Sequence, residues 1–170
     1  MNHITAATAS ALNKLIDVNR DGFFAYQEAE QHIKSVELQG YFNLVGQERL
    51  RFGQELFLEL FKTDCELGTS GLNTAERPLP WRIIKGRFIG QSDQLILLEL
   101  DRLGTWALNR YDKALKADLA LELQLLLERQ IAGWHRVHQH LKAQRVGLLP
   151  PNQSAVERAM ATQNTPSLSF

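Results

Sequence analysis

The sequence is poor in everything that marks a strand-built, secreted or membrane-spanning protein. It holds one cysteine, Cys65, so no internal disulfide staples the fold. β-Branched residues are scarce, with 8 Ile and 6 Val against 28 Leu, which favours helix over sheet. The five prolines are confined to positions 78, 80, 150, 151 and 166, so none breaks a helix within 1–77 or 81–149. Neither charge is in surplus: 19 Lys+Arg balance 19 Asp+Glu, which leaves out the footprint of a general nucleic-acid or anionic-membrane binder. No apolar run reaches the ~18 residues of a membrane span. The start, MNHITAATASALNKL, lacks the basic opening and apolar run of a secretory signal, so a cytoplasmic protein is expected.

What the chain does have is helix formers at helical spacing. With 170 residues, 44% hydrophobic and 22% charged, it is long enough for one domain around one core. Advancing 100° per residue, Leu12, Leu15, Ile16, Phe23, Tyr26 and Ile33 fall on one stripe and predict a helix over about 5–34. Leu38, Phe42, Val45, Phe52, Leu56 and Leu60 predict a second over about 37–63. The Gly, Ser, Asn and Pro of TDCELGTSGLNTAERPLP read as a loop, and WRIIKGRFIG beyond it as a short helical piece. Ser92 and Asp93 offer a cap for a third long helix, lined by Ile96, Leu97, Leu100, Leu103, Ala107, Tyr111 and Leu115. Asp118 is expected to cap a fourth, carrying Leu119, Leu123, Leu126, Trp134, Val137 and Leu141 as far as Gly147.

Four such helices, each about 40 Å long, bury their stripes most simply as an all-α four-helix bundle. The long connection between the second and third suits ferritin-type wiring, which has one crossover. The bundle is expected over 1–149, and 150–170 as a flexible or partly helical tail.

One local motif competes with this reading. Residues 17–28, DVNRDGFFAYQE, match the EF-hand calcium loop, with Asp17, Asn19, Asp21, the Phe23 carbonyl and bidentate Glu28 as ligands and Gly22 at the tight turn. Position 9 of the loop is Ala25, no second loop follows, and the apolar stripe continues in phase on both sides, so an unbroken helix is expected here and the calcium loop is the alternative.

The stretches LNKLIDVNRDGFFAYQEAE, FNLVGQERLRFGQEL, WRIIKGRFIGQSDQLILLELDRLGTWALNRY and ERQIAGWHRVHQHL together resemble an uncharacterised bacterial family of ferritin-like four-helix-bundle proteins. The resemblance covers about residues 9–145 and rests on Asp21-Gly22 with Tyr26, on Phe42, Arg49, Phe52 and Glu55, on Trp81 and Tyr111, and on Glu128-Arg129-Gln130 with His138. It implies a fold and no settled activity, and it places the Asp-Gly pair inside the first long helix.

A ferritin-like di-metal centre, the alternative function, needs Glu-x-x-His on two helices, so that carboxylate and imidazole share an inward face. Here Glu28, Glu48, Glu55, Glu59, Glu122 and Glu128 are followed three residues on by Gln31, Arg51, Leu58, Lys62, Leu125 and Ile131. The resemblance implies a glutamate where this chain has Gly104. His135, His138 and His140 cluster late in the fourth helix, where the dipole favours histidine without any metal. No metal or cofactor is therefore expected. The inward-facing polar residues Asn19, Glu30, Arg49, Gln130 and His138 predict a buried network that sets helix register, with Glu30 as the carboxylate for Arg49. Leu58, Phe57, Phe61, Leu98 and Trp106 lie off the core stripes and predict a homodimer or higher oligomer. The expected role is a non-catalytic binding, scaffold or stress-associated bundle, with no nucleic-acid or membrane partner and no small-molecule ligand that the sequence names.

Overall fold

The computed structural model describes residues 5–62 and 88–148. α1 spans Ala6–His32 and starts where the Thr5 side chain accepts a hydrogen bond from the Thr8 amide at 3.1 Å. It ends at Ile33, whose backbone is extended. Ser35 then caps α2, Val36–Phe61, through the Leu38 amide. α3, Asp93–Leu115, is capped by Ser92 as its sequence predicts. Gly90, at φ 71°, allows the tight turn just before it.

α4, Leu121–Gly147, departs from expectation at its start. Asp118 does not cap it; the N-cap is Ala120, which supplies no side-chain acceptor. Glu122 in the first turn still sets a negative charge against the helix dipole. The short helical piece expected at 81–90 falls mostly outside the described residues, as do the 63–80 loop, Cys65 and the 150–170 tail.

The directions of the helices follow from their contacts. The Asp93 carboxylate accepts from the Lys34 and Ser35 amides at 2.9 and 3.2 Å, so α3 begins at the end where α1 turns into α2. α2 runs away from that end, and so does α3. The chain between Lys62 and Phe88 thus joins opposite ends of the bundle, while the α1–α2 and α3–α4 connections are short turns. Among the described residues the architecture is all-α, four helices without a strand.

Two apolar clusters fill the interior. One, at the α1–α2 turn, is built from Tyr26, Phe42, Phe88, Ile96, Leu100 and Leu141 among others. The second, at the far end, includes Leu12, Leu15, Phe52, Leu56, Tyr111 and Trp134. The boundary between them falls after Val18 on α1, after Val45 on α2, after Leu103 on α3 and after Trp134 on α4. At that waist lie the buried polar residues Asn19, Asp21, Arg49 and Gln130, with a glycine from each helix: Gly22, Gly46, Gly104 and Gly133.

Candidate functional site

The waist is the place where this bundle departs from a plain apolar core. Asn19 Nδ2 donates to the Leu15 carbonyl at 2.9 Å and to Tyr111 Oη at 2.6 Å. Tyr111 Oη in turn donates to Gln130 Oε1 at 2.7 Å. Gln130 Nε2 donates to the Phe52 carbonyl at 3.2 Å and to Glu55 Oε2 at 2.9 Å, and Glu55 is held from outside by Arg129 at 3.0 Å. One hydrogen-bonded chain therefore crosses all four helices. Burial pushes the Tyr111 phenol up to about 12, with the Asn19 hydrogen bond pulling the other way, so it remains a neutral donor.

Arg49 is fully buried, and its Nη2 reaches Glu48 Oε2 at 3.0 Å and the Gly133 carbonyl at 3.3 Å. The other Glu48 oxygen takes Arg136 at 2.8 Å. Arg49 Nε and Nη1 have no hydrogen-bond partner; instead the guanidinium lies over the Trp134 ring at 4.0 Å and near Phe52 at 5.1 Å. Burial pulls its pKa below the ordinary arginine value, against the opposing influence of Tyr26 and Glu48. Glycine makes room for this group, since a Cβ on Gly22 would sit 3.1 Å from Trp134 Cη2 and 3.3 Å from Arg49 Cγ.

The Glu30 partner expected for Arg49 is not the one found. Glu30 is partly exposed and accepts from Asn43 Nδ2 at 3.3–3.4 Å. Arg49 lies level with Gly22, and Glu30 is eight residues farther along α1, about 12 Å at the helical rise. Helical phase points Arg49 inward, as found, but misplaces Glu30, which lies at the rim against Asn43, and it gives the height of neither.

His138 also stands apart from the Asn19–Tyr111–Gln130 chain. Its Nδ1 lies 2.8 Å from Asp101 Oδ1 across the α3–α4 seam, and Arg145 Nη1 reaches the other Asp101 oxygen at 3.3 Å. Burial lowers the pKa of the imidazolium; Asp101 raises it, but shares its charge with Arg145. Sequence reasoning missed Asp101 as a site residue, although it follows Leu100 on the core side of α3 and is 9% exposed. Glu48 and Tyr111 were likewise not among the expected network residues.

The segment of the calcium alternative is helical throughout. Residues 17–28 lie within the unbroken α1, so the chain does not turn to gather its oxygens. Asp17 pairs with Arg20 at 2.8 Å and Glu28 with His32 at 3.3 Å, Asn19 faces the core, and Phe23 stacks against Phe24. Asp21 is buried. Among the described residues, no group of three or more His, Cys, Asp or Glu side chains is placed to hold a metal ion. Glu48 and Glu55, which point toward the α2–α4 seam, are occupied by arginines. Among the described residues, and apart from the backbone of α3 itself, His138 Nδ1 at 3.6 Å is the one atom within 4 Å of where a Gly104 Cβ would be.

The outer surface carries two further features. Phe57, Leu58 and Phe61 are exposed as expected, whereas Leu98 is half-buried and Trp106 packs against both core clusters. Between α1 and α2, Ile16, Leu50, Phe57 and Leu58 wall an apolar groove of about 520 Å³ that includes Gly53. No described helix is long and apolar enough to cross a membrane.

A family model, that of a domain of unknown function, DUF2383, matches residues 7–117. The chain belongs to the DUF2383 family. The DUF2383 match takes in α1, α2 and α3 and ends in the turn after α3, so Gln130, Trp134 and His138 come from beyond the matched region. No curated protein matches the chain.

Proposed function

We propose that this DUF2383 protein is a non-catalytic, ferritin-like bundle of bacterial origin, a cytoplasmic binding or scaffold protein of the stress-associated kind, that works as a self-associated assembly. The observation that carries this reading is the apolar groove between α1 and α2. It has projecting side chains, Leu50, Phe57 and Leu58, beside a recess at Gly53, so one patch holds both knob and hole. A two-fold contact requires such self-complementarity. Net charge is zero, and Arg20 on the rim is neutralised by Asp17, so two copies meet without repulsion. The ferritin-like assignment is supported by the single connection that joins opposite ends of the bundle. The non-catalytic assignment is supported by the waist, where Asn19, Tyr111, Gln130 and Arg49 hold one another or stack on aromatic rings and so set register.

Light scattering across a concentration series tests the assembly. The expected result is a dimer or larger species that Leu58→Glu with Phe57→Glu returns to monomer, both positions being exposed and so free of core effects. A wild-type protein that stays monomeric at high concentration overturns the proposal.

A further inference from the structure

On another face of α1, the first turns of that helix lie against the last turns of α3. Ala7, Ser10, Ala11 and Lys14 recur at helical spacing and, with Arg110, Lys113 and Ala114, line a groove of about 330 Å³. Three of these seven residues are cations and none is a carboxylate. Every other described arginine lies within 4 Å of an acidic side chain: Arg20, Arg49, Arg51 and Arg102 each pair within their own helix, and Arg129, Arg136 and Arg145 pair across helices. Among the described residues Arg110 alone of the arginines has no such partner, and neither Lys14 nor Lys113 has one. The nearby Asp17 is committed to Arg20 at 2.8 Å.

In a protein of zero net charge, three cations on one small groove, none paired with an acidic side chain among the described residues, are a local departure that requires a reason. Two details make the groove more than a scatter of surface charge. Arg110 is steadied over the Trp106 ring, 5.3 Å from its centroid, so its guanidinium is held in place rather than free to wander. The small side chains of Ala7, Ser10, Ala11 and Ala114 keep the groove open.

We propose that the α1–α3 groove of Lys14, Arg110 and Lys113 is a binding site for the diphosphate group of a small molecule. A planar guanidinium takes two phosphate oxygens at once, and the two ammonium groups act as point charges on the rest, which matches a compact ligand of about three negative charges. A duplex nucleic acid is a poorer match, because it needs a basic stripe along a whole face and this protein has a notch.

Inorganic pyrophosphate, orthophosphate and adenosine triphosphate are titrated into the full chain at low ionic strength, by calorimetry and by amide NMR. The expected result is saturable one-to-one pyrophosphate binding, with amide shifts confined to residues 7–14 and 110–114 and affinity falling as salt is raised. Lys14→Gln with Arg110→Gln weakens it about tenfold or more, the loss of two charge-assisted contacts. Arg110→Lys keeps the charge, loses the fork and falls in between. All three cations are exposed, so the variants fold. The proposal is overturned if pyrophosphate shows no saturation at millimolar concentration, if the double variant binds as the wild type does, or if only adenosine triphosphate binds. These residues are not on the α1–α2 groove, so the oligomer test and this one fail separately.

Discussion

Arg49 and Trp134 stack at the centre of the bundle, guanidinium carbon 4.0 Å from the ring centroid, with both side chains at most 1% exposed. A charge so placed is tolerable only because Glu48, the Gly133 carbonyl and the indole face together replace its hydration. Arg49→Ala leaves Glu48 half-neutralised and a void against Trp134, and is expected to cost about 3–5 kcal/mol. Arg49→Met, which fills the space without the charge, costs less. Urea denaturation measures both; an unshifted midpoint for the alanine variant would show that the guanidinium contributes nothing.

Tyr111→Phe removes the hydroxyl that joins Asn19 to Gln130; Asn19 Nδ2 keeps its bond to the Leu15 carbonyl, but its second N–H and Gln130 Oε1 are left buried without a partner. The expected loss is about 1–3 kcal/mol. Because the three residues form one chain, Tyr111→Phe and Gln130→Leu together are expected to cost less than the sum of their separate effects. Strict additivity in a double-mutant cycle would contradict the network.

Two waist glycines are expected to behave oppositely. A Cβ on Gly133 would lie 2.8 Å from Phe52 Cζ, so Gly133→Ala overpacks the α2–α4 seam and destabilises by about 1–3 kcal/mol. At Gly104 the new methyl meets, among the described residues outside its own helix, His138 Nδ1 at an ordinary 3.6 Å, and the helix gains up to about 1 kcal/mol of propensity. Thermal melts of the two variants should move in opposite directions.

His138 links stability to pH. Its folded-state pKa is depressed by burial, so the unfolded chain takes up the proton first as pH falls. Stability contributed by the neutral ring is present above the unfolded histidine value and is lost on acidification through it toward the lower folded value. The groups around the ring are Asp101 on α3 and His135 and Lys142 on α4, with Arg145 on Asp101. Between pH 7 and 5.5 the melting temperature is expected to fall more for wild type than for His138→Gln. Equal slopes would remove His138 from the balance.

The helices were readable because each is a local pattern. The Leu12, Leu15 and Tyr26 stripe runs through DVNRDGFFAYQE without losing phase, and the helix expected there is unbroken. Capping was readable at Ser92, where a hydroxyl precedes the helix, and misread at Asp118, because Ala120 starts α4 with no side-chain acceptor at all. The exposed Phe57 and Leu58 stood off the stripe in sequence, but Trp106 did too, and only packing showed it to be covered.

By itself, then, the sequence determined four helices, their inward faces and the presence of polar groups on those faces, since all of these repeat every 3.6 residues along one chain. The tertiary structure alone decided the partners: Glu48 rather than Glu30 for Arg49, Asp101 for His138, and the convergence of Lys14 with Arg110 and Lys113. Helical phase gives the direction in which a side chain points but not its height against a neighbouring helix, and each of these pairings depends on that height.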